Sequence, residues 1–530
     1  MDGEGANSSD EEEPTGGPHQ QSSAHMETSD VVIEPDASQE FPKGAGEEEQ
    51  SEREGGGPDS AKYVENLLKK FAEQPLKLRV HDVKISGNVR TNDSVIEAEF
   101  EKVKEAETSQ ELFKEVFLAN ARLQSLGIFE ECVITLEPGP VELPGTANVI
   151  VNIKEPKRPY SGEVGVYTRP ETRTWTFEGS LKLKNLLGHA ETWDGTGSCS
   201  WDGMTEFSAG LHYPRFKQLP AALVTRASIF SQDWMNFSSY TERLVGLSAG
   251  LVASNYHDLS YNLTWRTLQD PQHCASRSVR RQLGHSLLSA LKYTFKIDKR
   301  DSVLRPTKGY AFRSATQIAG LGADSNLLRF VRQELDLRCA VPLGFSNAAL
   351  NVGISGGLIV PWGAGFRKKT TPISDRFFIG GHNSVVCGLH GPLTVPGFPI
   401  RGLGPMECRQ ASTVLQNSND RQELKDSLGG DLAFTGFADL AFDLPIQFLK
   451  EQNIHAHCFV SAGNIFGLQE VQRELLTWKK LWSSTRVSAG FGIVVPTNVF
   501  RFELNFCHVL RQLENDRGKR GFQLSFASPY

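Results

Sequence analysis

From residue 159 to the C-terminus, apolar and polar positions alternate with a period of two, in segments separated by turn chemistry. In "RTWTFEGSLKLKNL", Trp175, Phe177, Leu181 and Leu183 oppose Thr174, Thr176, Lys182 and Lys184. In "GGDLAFTGFADLAFDLP", Leu432, Phe434, Ala438, Leu440, Phe442 and Leu444 share one side. "VFRFELNFCHV" sets Phe500, Phe502, Leu504 and Phe506 against Arg501, Glu503 and Asn505. The ending "KRGFQLSFASPY" does the same, with Phe522, Leu524 and Phe526 against Gln523 and Ser525. The pattern predicts about 16 strands. One further helix is expected within the run, around "RELLTWKKLW" (473–482). A terminal strand with one greasy face and a free edge invites aggregation unless something pairs with it.

Before the strands, residues 76–155 read as a small α/β module. Leu76, Leu78 and Val80 alternate, then Val83 and Ile85 resume after a one-residue slip that predicts a bulge. Asn92 or Asp93 can cap a helix carrying Val95, Ile96 and Phe100. "TSQE" offers a capping box from Thr108 to Glu111, followed by an apolar stripe of Leu112, Val116, Ala119, Leu123 and Leu126 that Gly127 closes. Strands over Cys132–Leu136 and Val149–Ile153 complete the order β-α-α-β-β.

Composition alone points elsewhere. A hydrophobic share of 39% and a mean hydropathy of -0.33 suit a soluble protein. No apolar run is long enough for a spanning helix, but membrane barrels alternate lipid-facing with lumen-facing residues and average out the same way. The charge is uneven: residues 1–60 hold 17 acidic and two basic side chains, net -15, which leaves +8 on the remainder of a chain whose total is -7. So acidic a segment cannot bury enough apolar surface to order itself, and it has neither the apolar core of a signal peptide nor the arginines of a transit peptide. The expected organisation is a disordered acidic tail (1–60), a linker able to be helical (61–75), the module (76–155), and a strand-built domain (159–530) with a long inserted loop at about 362–428.

The eight cysteines are dispersed without a CxxC pair. His455 and His457 of "HAHC" share one strand face, but no further ligand cluster accompanies them, so no metal site is expected. Phosphate-binding loops, dinucleotide fingerprints and nucleophile motifs are missing too, and the chain reads as a non-enzyme without cofactor or nucleic-acid partner. Two architectures use so many strands. A soluble sandwich or propeller buries its apolar faces internally, whereas a membrane barrel turns them to lipid and keeps polar residues inside. Mid-strand Arg501, Glu503, Lys182 and Lys184 need water, and no blade-length repeat is visible. An even-stranded transmembrane barrel also accounts for the last strand, which would close on the first, "SGEVGVYTR" (161–169).

With "ISGNVRT" and "SLGIFEECVI" at its joints, the module resembles a POTRA domain. One such module before a predicted 16-stranded barrel resembles the outer-membrane assembly and translocation superfamily of bacteria, mitochondria and chloroplasts. The most specific stretch is "SDRFFIGGHNSVVCGLHGPLTVPGFPIRGLGP" (374–405), which resembles the long sixth loop of channel subunits of the mitochondrial sorting and assembly machinery, especially the plant form. "NLLGHAET" (185–192) and "VSAGNIF" (460–466) are similar as well. The resemblance implies a mitochondrial outer-membrane insertase for β-barrel precursors, with its N-terminus in the intermembrane space and with precursors, accessory subunits and lipid as partners. The alternative is a protein-translocating or solute-conducting pore, for example of the plastid envelope. The resemblance also implies a loop anchor, here Gly397, Phe398, Arg401 and Gly402. It implies a lateral seam of Gly162, Val164 and Val166 with Gly521, Leu524 and Phe526, where Lys519, Gly521, Leu524 and Phe526 fit the precursor signal. One departure stands out: Pro396 replaces the family's loop-tip arginine and Ser461 its aspartate partner, so Arg401 is expected as a substitute anchor with no named partner.

Overall fold

A computed structural model describes residues 77–169, 174–201, 203–214, 221–253, 256–322, 329–363, 370–381, 383–389, 391–392, 394–410, 424–468, 482–497 and 501–527. The tail 1–60, the linker 61–75 and all but the last residue of the expected helix 473–482 lie outside the described residues. The chain falls into two compact units, one ending at Glu155 and one starting at Pro156, with Arg90–Asn92 grouped in the second.

In the first unit, β1 (Arg79–Ser86) pairs in parallel with β3 (Thr146–Lys154), which pairs antiparallel with β2 (Glu131–Pro138). The slip in the first strand is a register shift between Val80 and Asp82. Helix Ser109–Ser125 buries Leu112, Val116, Ala119 and Leu123 against Val149, Val151 and Ile153. Its N-cap Thr108 accepts from the Glu111 amide at 3.3 Å, but the Glu111 carboxylate takes the Glu107 amide rather than that of Thr108. The helix expected ahead of it is broken into Asp93–Glu97 and Glu101–Lys104. Tight bonds from the Glu99 amide to Ile96 O and from the Phe100 amide to Glu97 O end the first turn and swing Phe100 fully into the core.

The second unit is a single sixteen-stranded antiparallel sheet forming the barrel wall. Its first half runs β4 (Tyr160–Arg169), β5 (Thr174–Lys184), β6 (Thr192–Ser200), β7 (Thr205–Tyr213), β8 (Ala222–Asp233), β9 (Thr241–Val252), β10 (His257–Gln269) and β11 (Gly284–Asp298). The second half runs β12 (Gly309–Ala319), β13 (Phe330–Pro342), β14 (Ala349–Pro361), β17 (Leu432–Asp443), β18 (His455–Phe466), β19 (Arg486–Pro496), β20 (Arg501–Arg511) and β21 (Gly521–Ala527). A hairpin of β15 (Met406–Cys408) and β16 (Lys425–Ser427) belongs to the loop between β14 and β17.

The alternation places polar side chains inside and apolar ones outside, the reverse of a soluble protein. In β20, Arg501, Glu503 and Asn505 are buried while Leu504 is 50% exposed. The outward residues therefore meet hydrocarbon, and every strand between β4 and β21 is paired on both edges, as a membrane interior requires. β4 and β21 are the two ends of the order. The closing ladder between them is not among the ladders of the described residues.

Candidate functional site: the luminal loop and the end strands

The described parts of the loop joining Pro361 to Leu432 lie against the strands. They pack inside the barrel wall, and hydrogen bonds from charged side chains hold them at three levels. At one rim, Asp426 on β16 is fully buried and accepts from Ser239 Oγ at 2.6 Å, the Ser276 amide at 2.8 Å and Arg409 Nε at 2.8 Å. Nearby, Glu407 takes the Ser278 amide at 3.0 Å. Burial pushes the Glu407 carboxyl up, but hydrogen bonds from Ser278 and Ser276 and the Arg277 charge outweigh it and hold the group below the usual carboxylate range.

Midway, Arg266 of β10 grips Asp375 with two parallel bonds of 2.7 and 2.9 Å. Arg332 donates to Asp375 O at 3.0 Å and lies over the Phe377 ring. At the opposite rim, Arg300 and Arg338 donate to the carbonyls of Val386 and Val385 at 3.1 and 2.8 Å. Carbonyls of an irregular segment held among strands would otherwise be left unpaired.

The loop tip carries the predicted anchor. Phe398 is 1% exposed and packs with Val395, Leu403, Ala433, Ile465 and Val509. The inner face of β20 turns apolar at Cys507 and Val509, where this cluster sits. Gly397 has φ +86°, and a Cβ there would stand 3.2 Å from Val509 Cγ2, so backbone conformation and space both favour glycine. At Gly402 a Cβ would fall 2.7 Å from Pro399 O.

Arg401 is buried without a carboxylate partner among the described residues. Its guanidinium lies 3.6 Å from the centre of the Trp234 ring, 3.8 Å from that of Phe378 and 5.7 Å from that of Tyr240. It donates to Ser238 Oγ at 3.0 Å and Tyr240 Oη at 3.1 Å. An aromatic box with two hydroxyls thus replaces the acid that a buried guanidinium would ordinarily require. Ser461, standing where the resemblance places that acid, is buried and its hydroxyl has no partner among the described residues.

The predicted anchor residues thus come together at the inner wall. The predicted seam residues sit on the two end strands, which no described ladder joins. Gly162, Val164 and Val166 of β4 pair with Leu181, Gly179 and Phe177 of β5, and Val164 is 90% exposed. Gly521, Leu524 and Phe526 pair with Cys507, Leu504 and Phe502 of β20.

The paired histidines meet protein groups, His457 through both ring nitrogens and His455 through one. His457 lies between Asp439 Oδ1 and Asn505 Oδ1, each at 2.7 Å, and His455 Nδ1 is 3.1 Å from Asn453 O. His457 belongs to a buried polar chain that continues through Asn505 and Glu503 to Arg501, with Ser384 of the loop donating to Glu503.

Sequence reasoning missed Trp234, Tyr240, Asp375 and Gln523. The signal was there only as polar or aromatic residues at inward strand positions and in connections, with nothing to pair them across the chain.

Residues 185–528 match the family described as the Omp85 superfamily domain, and residues 78–156 match POTRA, described as the surface antigen variable number repeat. The chain is 29% identical over 461 residues to the "Sorting and assembly machinery component 50 homolog" of Mus musculus, covering 84% of this chain and 88% of that protein. A SAM50-like protein of Schizosaccharomyces pombe is 26% identical over 409 residues, covering 76% and 78%. Among solved structures, BamA from Haemophilus ducreyi lacking POTRA domains 1–3 superposes with a TM-score of 0.67 at 17% identity, covering 85% of both chains.

Proposed function

The chain belongs to the Omp85 superfamily, and within it to the channel subunits of the sorting and assembly machinery; on that premise we propose that its working edge is the seam between β4 and β21. The protein is a β-barrel assembly insertase of the mitochondrial outer membrane, with its POTRA domain on the intermembrane-space side. The observation that carries the seam reading is an asymmetry of the end strands. β4 is exposed on both faces through Val166, while Gln523 and Ser525 of β21 are buried, Gln523 against the loop. A client strand entering hydrocarbon must have its backbone groups paired as it arrives, so it can enter by adding to a strand edge. β4 offers such an edge, and β21 is the strand a client's final strand would displace. The small POTRA sheet, with β1 and β2 at its edges, has the same capacity to take up an added strand before delivery.

Clients are β-barrel precursors, and the complex includes accessory subunits and surrounding lipid. No covalent bond changes in this cycle, so the reading needs no catalytic group. A conducting pore is the weaker reading, because the loop packs against the inner wall from β10 to β21.

The test is a lock. Cysteines at Val164 and Leu524, or one residue to either side, should crosslink under mild oxidation if the two strands meet. The locked protein should stay folded, keep precursor binding at the POTRA domain, and stop inserting clients. Insertion at the normal rate through a locked seam would show that lateral templating is the wrong mechanism and favour a central channel.

A further inference from the structure

The geometry points to Gln523 as a positioning residue that ties the luminal loop to the last strand and so sets where the seam's C-terminal edge stands. This inference rests on the seam reading above. Gln523 is buried on the inward face of β21, between the outward Phe522 and Leu524. Its Oε1 accepts from the Gly397 amide at 3.0 Å, and its Nε2 donates to Gly381 O at 3.1 Å. Gly381 and the loop tip are themselves joined, the Gly381 amide donating to Phe398 O at 3.0 Å. One side-chain amide therefore bridges two passes of the loop. Either backbone group, left alone in a buried site, would remain unpaired.

The contact continues along the connection before β21. The amides of Lys519 and Arg517 donate to Gly397 O and Gly402 O at 2.8 and 2.9 Å, and Asp516 Oδ1 accepts from the Gly404 amide at 3.4 Å. The two backbone bonds would form with most residues in place, so on β21 itself Gln523 is the point at which sequence decides the attachment. The same tip reaches the other way through Arg401, to the Trp234–Tyr240 connection between β8 and β9. The loop tip is thereby a brace, one end on the β8–β9 rim and the other on the closing strand. It holds β21 in place while β4, which lies outside this set of contacts, is left to part from it.

The chemistry gives opposite rankings for the brace and for plain packing. Gln523→Glu keeps an acceptor for the Gly397 amide; Gln523→Leu keeps the bulk and removes the acceptor. Hydrogen exchange of the full-length protein in lipid nanodiscs, resolved to the Gly397 and Lys519 amides, reads this directly. Gln523→Leu should speed exchange at Gly397 by about tenfold or more, with Lys519 following, while Gln523→Glu should stay nearer to wild type. A role in packing alone predicts the reverse, since a buried carboxylate disrupts more than a buried leucine. Glutamate faster than leucine, or both at the wild-type rate, overturns the brace. Should neither variant fold, the wild-type Gly397 amide still decides, because exchange as fast as an exposed amide would also overturn it. Client insertion is measured on the same preparations. Wild-type protein that inserts no client refutes the insertase reading and leaves the brace standing. Lost protection with insertion at the wild-type rate refutes the brace's link to insertion.

Discussion

Near one end of the wall Arg226 meets Asp194 with side chains 39% and 18% exposed, whereas near the other Arg501 meets Glu503 at 1% and 3%. The residue types match; the surroundings do not. On the opposite, outward face of the same strands lie Gly179 and Gly195, where an added Cβ would meet nothing within 4 Å. The outward face there is a shallow apolar groove of about 740 Å³, floored by Gly162, Gly179, Gly195 and Ala209 and flanked by Leu181 and Phe207. Around the second pair, Ser384, Asn505 and Leu304 O add further hydrogen bonds. The wall is therefore not uniformly packed. It is sparsely packed near β4 and densely tied near β21, so the two sides of the seam differ before any client arrives.

The largest effect should come from breaking the tied side. Glu503→Ala strands the Arg501 guanidinium in a buried site and should cost about 3–5 kcal/mol. Asp194→Ala, at the exposed pair, should cost no more than about 1 kcal/mol. Urea unfolding of the purified barrel in detergent compares them, and equal losses would erase the contrast between the two ends.

Next comes the aromatic box. Arg401→Ala should lower stability by about 2 kcal/mol, the worth of a desolvated cation–π contact, and slow client assembly while sparing precursor binding at the POTRA domain. Arg401→Lys should recover only part of this, because an ammonium lacks the flat face that stacks between Trp234 and Phe378. Unchanged heat stability in the alanine variant would exclude Arg401 as an anchor.

A smaller contrast separates two glycines. Gly397→Ala must hold a left-handed backbone conformation beside Val509 and should cost about 1–2 kcal/mol. Gly179→Ala adds a methyl group into open space and should stay within about 0.5 kcal/mol. Thermal melts that rank the pair the other way would mean that the N-terminal wall is the tighter one.

The smallest effect is one of pH. Glu407 is held below the ordinary carboxylate range, so its share of stability is present above its unfolded pKa of about 4.3 and is lost as pH falls through its lower folded value. Hydrogen exchange of Met406–Cys408, corrected for its intrinsic pH dependence, should rise across that window, and Glu407→Gln should flatten the response. A glutamine variant with the same pH profile would assign the loosening to another acid.

Much of this fold was legible because its signals are local. The period-2 pattern in "RFELNFC" already puts Arg501, Glu503 and Asn505 on one face and Phe502 and Leu504 on the other, and β20 keeps that division. The one-residue slip before Val83 is the bulge, and Thr108 is the helix cap, since both depend on neighbours a few residues away. The broken helix at Phe100 escaped the pattern because tertiary burial of one ring overrode the helical period.

Along the loop, the motif singled out Gly397, Phe398, Arg401 and Gly402 as candidates, but it named none of their partners. Arg401 and Ser238 are 163 residues apart, and Gly397 and Gln523 are 126 apart. Alternation assigns Gln523 to the inner face, yet any inward polar residue would satisfy the same pattern. Which of them meets the loop depends on strand register, on the path of the chain inside the barrel and on where glycines let the backbone approach. Sequence period determines which way a side chain points; only the folded chain decides what stands opposite it, because that contact joins segments whose separation along the chain carries no periodic signal.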